Sequence, residues 1–260
     1  MRGEKTAQEP KMHTKKMTEG NIPLQLFAYA LPLILGNVFQ ITYNAVDSVI
    51  VGRFLGSGSL AAVGTAGPVM NLFILGISGV AMGASVIMSR LFGAGREDLL
   101  KREMATLCVF GFYFSVAVTV AGVLGTDALL RLLGVPEEIF EITAVYLRLV
   151  FLGIPFTYFY NTLSGALKSV GDSRTPLIFL TVASLLNAGL DIILIGVLHF
   201  GIVCSACTTV LAQALSAIWC AAYIYRRAPL LTFSRKEMRM DRELLRQTLQ
   251  YGGMTGLQQA

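Results

Sequence analysis

The chain contains few charged residues. Asp, Glu, Lys and Arg make up 14% of its 260 residues, whereas soluble domains carry about 25%. The charges cluster in short stretches, and the long apolar windows between them hold almost none. Together with a hydrophobic content of 54%, this excludes an ordinary soluble domain. The sequence predicts an integral membrane protein of several helical spans, because a helix satisfies its own backbone groups in lipid.

Histidine and cysteine are scarce as well. The two histidines, His13 and His199, fall in different polar stretches and cannot assemble a metal cluster. Cys204 and Cys207 have the spacing of a redox motif, but thiol exchange requires an exposed, electropositive thiolate and all four cysteines lie in apolar runs. We interpret them as packing residues and expect no cofactor. Nucleic acid is not an expected partner, because the Lys and Arg residues lie in separate loops without interleaved aromatic residues.

Seven apolar segments follow a basic, polar tail. Spans are predicted at 22–51, 60–88, 104–125, 142–163, 176–197 and 202–225, and a seventh begins at 244. The first contains Pro32, a predicted kink, and the second is rich in small residues, which let neighbouring helices approach closely. The predicted domains are a tail at 1–21, a six-helix transmembrane lobe at 22–225, a linker at 226–243 and the start of a second lobe at 244–260.

The connections between the spans alternate between rich and poor in Lys and Arg. The tail and the connections after the second, fourth and sixth spans hold most of these residues. Cytoplasmic loops of membrane proteins carry an excess of Lys and Arg. The N-terminus is therefore predicted to be cytoplasmic, and the first connection to lie on the outer side.

Four polar side chains are predicted at one depth in the membrane. Asp47, Tyr146, Asp191 and Thr209 come from four different spans, and at 1.5 Å per residue all fall roughly 8–12 Å below the outer surface. An ionised carboxylate inside a membrane costs at least about 2.5–3.5 kcal/mol. Asp47 and Asp191 therefore need a partner, an ion or a water-filled cavity.

Helical spacing adds two amides to these carboxylates. Asn187 shares a helix face with Asp191, and Asn44 shares one with Asp47. Two carboxylates in one low-dielectric pocket cannot both ionise cheaply, so this pocket is suited to hold a proton or a sodium ion coordinated by hard oxygens. The alternatives are plain interhelical hydrogen bonds for the carboxylates and, for Tyr146, a place in the interfacial aromatic belt.

The seventh segment resembles the first. The chain reads LFAYALP at 26–32 and TLQYGGM at 248–254, in both cases after a basic stretch. Six spans return the chain to its starting side, where a second copy could begin in the same orientation, as in transporters built from parallel repeats. We expect a fragment that holds one complete lobe and part of the next, with the rest missing after Ala260. A natural seven-span protein is the alternative.

Several motifs occur in a fixed order along the chain. They are NAVDSVIVGR at 44–53, LAAVG at 60–64, YN at 160–161, LKSVGD at 167–172, LNAGLD at 186–191 and, after Gly201, TT at 208–209. Their order and spacing resemble the multidrug and toxic compound extrusion (MATE) transporters, in particular bacterial DinF-like and NorM-like members. The resemblance covers about 22–260. It implies half of a twelve-helix, all-α fold in which two six-helix lobes surround a central cavity.

The resemblance also implies a function. MATE transporters are antiporters, not enzymes, and export cationic or amphipathic compounds by alternating access in exchange for protons or sodium ions. Carried over by motif, the cation site would comprise Asp47, Asn187, Asp191 and Thr209, which would be the ligands of a sodium ion, with Tyr146 nearby. The expected location is a bacterial inner membrane, and the expected partners are small organic cations and the lipid bilayer.

Two departures and three rival functions remain. The stretch 204–206 reads CSA where the family often has GAA, which exchanges one small residue for another and is not expected to disturb the site, and Met254 replaces the proline expected from the repeat. An intramembrane aspartyl protease usually carries Gly-x-Gly-Asp, which Asp191 lacks. A lipid-linked oligosaccharide flippase of the same superfamily tends to line its cavity with several arginines, for which only Arg148 is available. Nothing resembles a channel filter.

Overall fold

The computed structural model describes residues 22–234 and 237–259. All regular structure in these residues is helical, which confirms the predicted all-α class. The helices are α1 (Ile22–Gly93), α2 (Glu97–Leu132), α3 (Glu137–Ser169), α4 (Arg174–Asp191), α5 (Ile202–Arg227) and α6 (Arg242–Gln259). A π-helix at Ile192–Val197 continues α4, and a 3-10 turn at Pro229–Leu231 follows α5. The predicted tail at 1–21 and Ala260 lie outside the described residues.

Helix α1 consists of two helices that meet at a kink at Gly56. This glycine has φ 83° and ψ 179°, a conformation that residues with a side chain rarely adopt. The break falls in the turn that the sequence predicts between its first two spans. Each half of α1 (22–55 and 57–93) is about 50 Å long at 1.5 Å per residue, enough for one membrane crossing. The kink predicted at Pro32 concerns a side chain outside the described part of the chain and stays a prediction.

The outer surface of the bundle is apolar. Within the described residues, the five helices α1 to α5 are long and apolar enough to span a membrane, with the π-helix counted as part of α4. Large apolar side chains point outward from them; Leu124 is 79% exposed and Leu132 is 83% exposed. An apolar surface of this extent is suited to lipid and not to water. This agrees with the predicted multi-pass membrane protein.

Contacts between helices fix their relative directions. Phe73 packs edge to face against Phe151, with the ring centroids 5.2 Å apart. Twelve residues further along α1, Ser85 Oγ donates to the carbonyl of Gly165 at 3.2 Å. The second half of α1 therefore runs parallel to α3. The first half of α1 is likewise parallel to α4, whereas α2 with α3 and α4 with α5 are antiparallel. These directions match successive passes that alternate across a bilayer.

A proline inside α3 creates a hydrogen bond between α2 and α3. Pro155 lies inside α3 and has no backbone N–H, so the carbonyl of Phe151 loses its helical partner. Thr119 Oγ1 of α2 donates to that carbonyl at 2.9 Å. The Phe151 ring also lies against Gly122, where a β-carbon would have no room. The two helices are thus held together by a hydrogen bond that the proline makes available.

Apolar side chains form two buried clusters at opposite ends of the bundle. One surrounds Met88 and Leu167, where α1 ends and α2 begins. The other surrounds Ala66 and Leu147, near the break in α1. Leu231, from the segment predicted as a surface linker, is buried in the first cluster. The first part of that segment is therefore packed against the bundle.

Candidate functional site

Two carboxyl groups from different helices meet inside the bundle. Asp47 lies in the first half of α1, and Asp191 is the last residue of α4. Their side chains are within hydrogen-bonding reach of each other. Asp191 is fully buried, whereas Asp47 is partly exposed. The sequence predicted these two residues at one depth, and the structure brings them into contact.

Helix α5 supplies hydroxyl groups to both carboxylates. Thr208 Oγ1 lies 2.5 Å from Asp191 Oδ1, and Ser205 Oγ lies 3.4 Å from Asp47 Oδ1. Thr208 Oγ1 is also 2.9 Å from the carbonyl oxygens of Cys204 and Ser205. One hydroxyl proton can serve only one of these three acceptors at a time. Thr208 can therefore donate to an ionised Asp191, or donate to a backbone carbonyl and accept from a protonated Asp191.

Beside Asp191, a buried amide has no hydrogen-bond partner. Asn187 lies one helical turn earlier and is 1% exposed, and neither its Oδ1 nor its Nδ2 has a partner. Asp191 Oδ2 has no donor either. Buried polar atoms are nearly always satisfied by protein, water or an ion. The free oxygens of Asn187 and Asp191, next to Asp47, are hard ligands of the kind a proton or a small monovalent cation needs.

A cavity of about 710 Å³ adjoins the carboxylate pair. Asp47 lines it, together with Tyr146 and Thr209, whereas Asp191 and Asn187 lie behind Asp47. The lining also contains the aromatic residues Phe73, Phe151 and Tyr160 and the polar residues Gln40, Asn161, Lys168 and Gln213. The cavity thus offers flat apolar rings, several hydrogen-bonding groups, one carboxylate and one lysine. Its volume is in the range of drug-sized ligand sites.

Two neighbouring threonines of α5 point to different sides of the helix. Thr208 contacts Asp191, and Thr209, the residue that the sequence predicted as a ligand, faces the cavity. Tyr146 is 3% exposed and lines the same cavity. The roles predicted for Thr209 and Tyr146 stay predictions, and the side chain of Asn44 lies outside the described part of the chain.

Sequence reasoning missed Ser205 and Thr208 as partners of the carboxylates. Ser205 was interpreted as one small residue in place of another, yet its hydroxyl reaches Asp47. Ser205 and Thr208 are three residues apart, so they share a face of α5, and this spacing can be read from the sequence. A polar stripe at this spacing on an apolar helix would have indicated both residues.

The backbone changes form directly after Asp191. The N–H of Leu198 bonds to the carbonyl of Ile193, five residues earlier, at 3.0 Å, and the segment Ile192–Val197 is a π-helix. Such wide turns inside α-helices often occur at functional sites. Gly196 in this segment packs against the ring of Phe54 from the first half of α1, so the span contacts α1 both before the wide turn, at Asp191, and within it, at Gly196.

Arg148 forms an ion pair outside this region. Arg148 Nη2 donates to both carboxylate oxygens of Asp127 at 2.7 Å. These side chains are 40% and 50% exposed, and neither residue lines the cavity. The arginine considered for binding a pyrophosphate group is therefore paired on the side of the bundle.

Comparisons with known proteins agree with this architecture. The MatE family model matches residues 32–193. The chain is 33% identical over 254 residues to the probable multidrug resistance protein YoeA of Bacillus subtilis, an alignment that covers 95% of the chain and 55% of YoeA. It also resembles the solved structure of a multidrug resistance MATE family transporter of the MOP superfamily in an outward-facing conformation. There the TM-score is 0.88 at 26% identity, covering 96% of this chain and 56% of that one.

The agreement with an inward-facing structure is lower. An inward-facing multidrug resistance MATE family transporter aligns with a TM-score of 0.78 at 28% identity, covering 84% of this chain and 49% of that one. The chain spans about half the length of the curated relatives that it matches. All these matches concern one half of a larger transporter.

Proposed function

Because the chain belongs to the MatE family, we propose that it forms the first lobe of an exporter that exchanges organic cations or amphipathic drugs for an inward-moving cation. The observation that carries this proposal is the Asp47–Asp191 pair beside a cavity of about 710 Å³. In this layout 1–21 is a cytoplasmic tail, 22–225 the lobe, 226–243 the linker and 244–260 the start of a second lobe.

The carboxylate pair is the coupling-ion site of this proposal. Asp191 holds a proton or a sodium ion in the buried half of the site, with Asn187 and the α5 hydroxyl of Thr208 as its neighbours. Asp47 faces the cavity and so connects that site to the space open to a drug. Thr209 and Tyr146 line the space next to Asp47 and complete the site on the cavity side.

Exchange requires that the ion and the drug favour different arrangements of the lobe, since a ligand shifts an equilibrium only by its differential affinity. An organic cation in the cavity is attracted to an ionised Asp47, whereas a bound proton or sodium ion removes that attraction. The two ligands therefore compete for the same charge. The aromatic rings of Phe73, Phe151 and Tyr160 provide flat surfaces that a cationic or amphipathic compound can pack against.

The membrane orientation is part of the proposal. With the N-terminus in the cytoplasm of a bacterium, the end of the bundle that contains the Gly56 break faces outward. The Asp47–Asp191 pair then lies toward the outer face of the inner membrane. Support comes from the alternation of Lys and Arg between successive connections and from the alternating helix directions.

None of the three rival functions has a specific observation in its favour. MATE proteins are transporters and not enzymes, so family membership argues against an intramembrane protease. A lipid-linked oligosaccharide flippase needs cations for the pyrophosphate, and Arg148 is paired with Asp127. The aromatic rings and Asp47 in the cavity lining can bind a cationic compound, and the same lining also contains Lys168.

Efflux of the organic cation ethidium from cells that express the full-length protein tests the proposal. Asp47→Asn and Asp191→Asn should each reduce efflux by about 5- to 150-fold, the usual range of coupling between linked sites. Asp98→Asn is the matched control, because Asp98 is an exposed carboxylate at the start of α2. Full efflux by Asp47→Asn at equal expression would contradict the proposal.

The same assay in membrane vesicles distinguishes the coupling ion. A pH gradient without sodium should sustain ethidium transport if the pair carries a proton, and a sodium gradient at equal pH should do so if it carries sodium. Transport that needs neither gradient would refute antiport at this site.

A further inference from the structure

Besides Asp191, a second fully buried carboxyl group lies at the opposite end of the bundle from the Asp47–Asp191 pair. Glu103, near the start of α2, is 0% exposed. Its Oε1 accepts a hydrogen bond from Thr248 Oγ1 of α6 at 2.5 Å, and its Oε2 has no hydrogen-bond partner. Thr248 is also 0% exposed. The carboxyl group is therefore enclosed by α6.

Helix α6 lies in direct backbone contact with the second half of α1. A β-carbon on Gly83 would lie 2.5 Å from the backbone nitrogen of Gly252, and one on Gly252 would lie 2.7 Å from the carbonyl oxygen of Gly79. The close approach that the sequence predicted from small residues thus occurs at this contact. In contrast, Gly64 and Gly76 have open space beside them.

The contact includes groups that can separate without breaking an apolar core. Arg90 Nη1 donates to Tyr251 Oη at 2.6 Å, and its guanidinium lies 4.8 Å from the ring centroid. The backbone N–H of Asp241, just before α6, donates to Thr106 Oγ1 at 3.0 Å. Helix α6 is therefore held by glycine contacts, a few polar bonds and the buried Leu244, and among the described residues none from α6 belongs to the two apolar clusters. Glu103 lies in the middle of these contacts.

The surroundings of Glu103 provide no balancing positive charge. Within the described residues, the Lys, Arg and His nitrogens form no ion pair with its carboxylate. The titratable groups that face it are Asp241 from the segment before α6 and Tyr158 from α3. An unpaired carboxylate that is removed from water costs several kcal/mol. A proton on the carboxyl group removes that cost, and Thr248 remains a hydrogen-bond partner.

We infer that Glu103 is a proton-binding site, separate from the Asp47–Asp191 pair, that binds a proton when α6 seats on α1 and α2 and releases it when α6 withdraws. Withdrawal admits water to the carboxyl group, so the ionised form is no longer penalised. Proton binding and the seating of α6 then favour each other. A proton fits better than sodium, because within the part of the chain that the structure describes the Thr248 hydroxyl is the one hydrogen-bond partner of the carboxyl oxygens.

The distance between spin labels on α2 and α6 tests this inference, and it does not depend on which compound is exported. Labels are placed at the exposed residues Asp98 and Gln250 of the full-length protein in lipid nanodiscs, after the native cysteines are changed to alanine. The ratio of seated to withdrawn α6 should fall with rising pH, by up to about tenfold per pH unit for one linked proton.

Three variants make the inference falsifiable. Glu103→Gln should keep α6 seated at every pH, whereas Glu97→Gln, which changes an exposed carboxylate on the same helix, should titrate like the wild type. Thr248→Val keeps the size of the side chain but removes the hydroxyl, and should move the transition to lower pH. A wild-type response from Glu103→Gln overturns the inference. If that variant fails to fold, an unchanged transition in Thr248→Val does so.

Exchange of potassium for sodium at constant pH separates the two ions. The inference expects no change in the label distance. A sodium-dependent shift that is lost in Glu103→Gln would assign the site to sodium and refute proton binding. Ethidium efflux lost in Asp47→Asn while α6 still titrates normally would separate this site from the proposed antiport site.

Discussion

Replacing Gly83 with alanine tests the closest approach between α6 and α1. The added β-carbon would lie 2.5 Å from the backbone nitrogen of Gly252, and ordinary contact begins at 3.4 Å. The two helices must therefore separate by at least about 0.9 Å, the difference of those two distances, because the β-carbon would lie closer still to the carbonyl oxygen of Thr248. Overpacking of this kind costs about 1–3 kcal/mol. Because the contact is between two backbones that cannot rotate away, we expect a cost near 3 kcal/mol.

A matched control removes the contribution of helix propensity. Alanine is better than glycine inside a helix by about 1 kcal/mol, so Gly83→Ala should lose about 2 kcal/mol of stability in total. Gly76 lies in the same half of α1, is exposed and has open space beside it. Gly76→Ala should therefore gain about 1 kcal/mol.

Thermal unfolding in detergent, followed by circular dichroism, compares the two variants. The expected difference of about 3 kcal/mol corresponds to about 6–12 °C in Tm for a chain of this size. Hydrogen exchange in α6 should also be faster in Gly83→Ala than in Gly76→Ala. If both variants raise Tm equally, α6 does not pack on α1 as described.

Two further contacts make quantitative predictions. Thr119→Val should cost about 1 kcal/mol, because the carbonyl of Phe151 loses its donor, and this loss should disappear in a Pro155→Ala background, where the restored N–H serves that carbonyl. Thermal unfolding of the single and double variants measures this, and equal losses in both backgrounds would refute the account of the proline. Asp127→Asn should cost less than about 1 kcal/mol, since the pair with Arg148 is half exposed, and the loss should shrink in high salt. A larger, salt-independent loss in Tm would contradict it.

Hydropathy and charge were sufficient to predict the helices and the pairing of the carboxylates. The break at Gly56 lies in the predicted turn, and Asp47 and Asp191 meet as their shared depth indicated. Depth along a helix is readable from the sequence because the rise per residue is constant. The direction in which a side chain points is set by packing, so the sequence could not decide between Thr208 and Thr209.

Two features depended on contacts between segments that are distant in the sequence. Glu103 lies at the edge of a charged loop in the sequence and was not considered, yet α6 encloses it completely. Similarly, Gly64 and Gly83 belong to the same stretch of small residues, but only Gly83 touches another helix backbone. Several residues of the same kind could make such a contact. The position of α6, some 150 residues later in the sequence, decides which of them does.

The π-helix after Asp191 makes the rotation of the residues that follow it about the helix axis less dependent on the exact number of residues in the span. Deleting one residue from an ordinary α-helix rotates everything beyond the deletion by about 100° relative to the part before it. In the segment Ile192–Val197 the wide turn already contains a surplus residue, and a deletion there would restore a regular α-helix. The span can thus shorten by one residue while Asp191 stays on Thr208 and Gly196 stays beside Phe54.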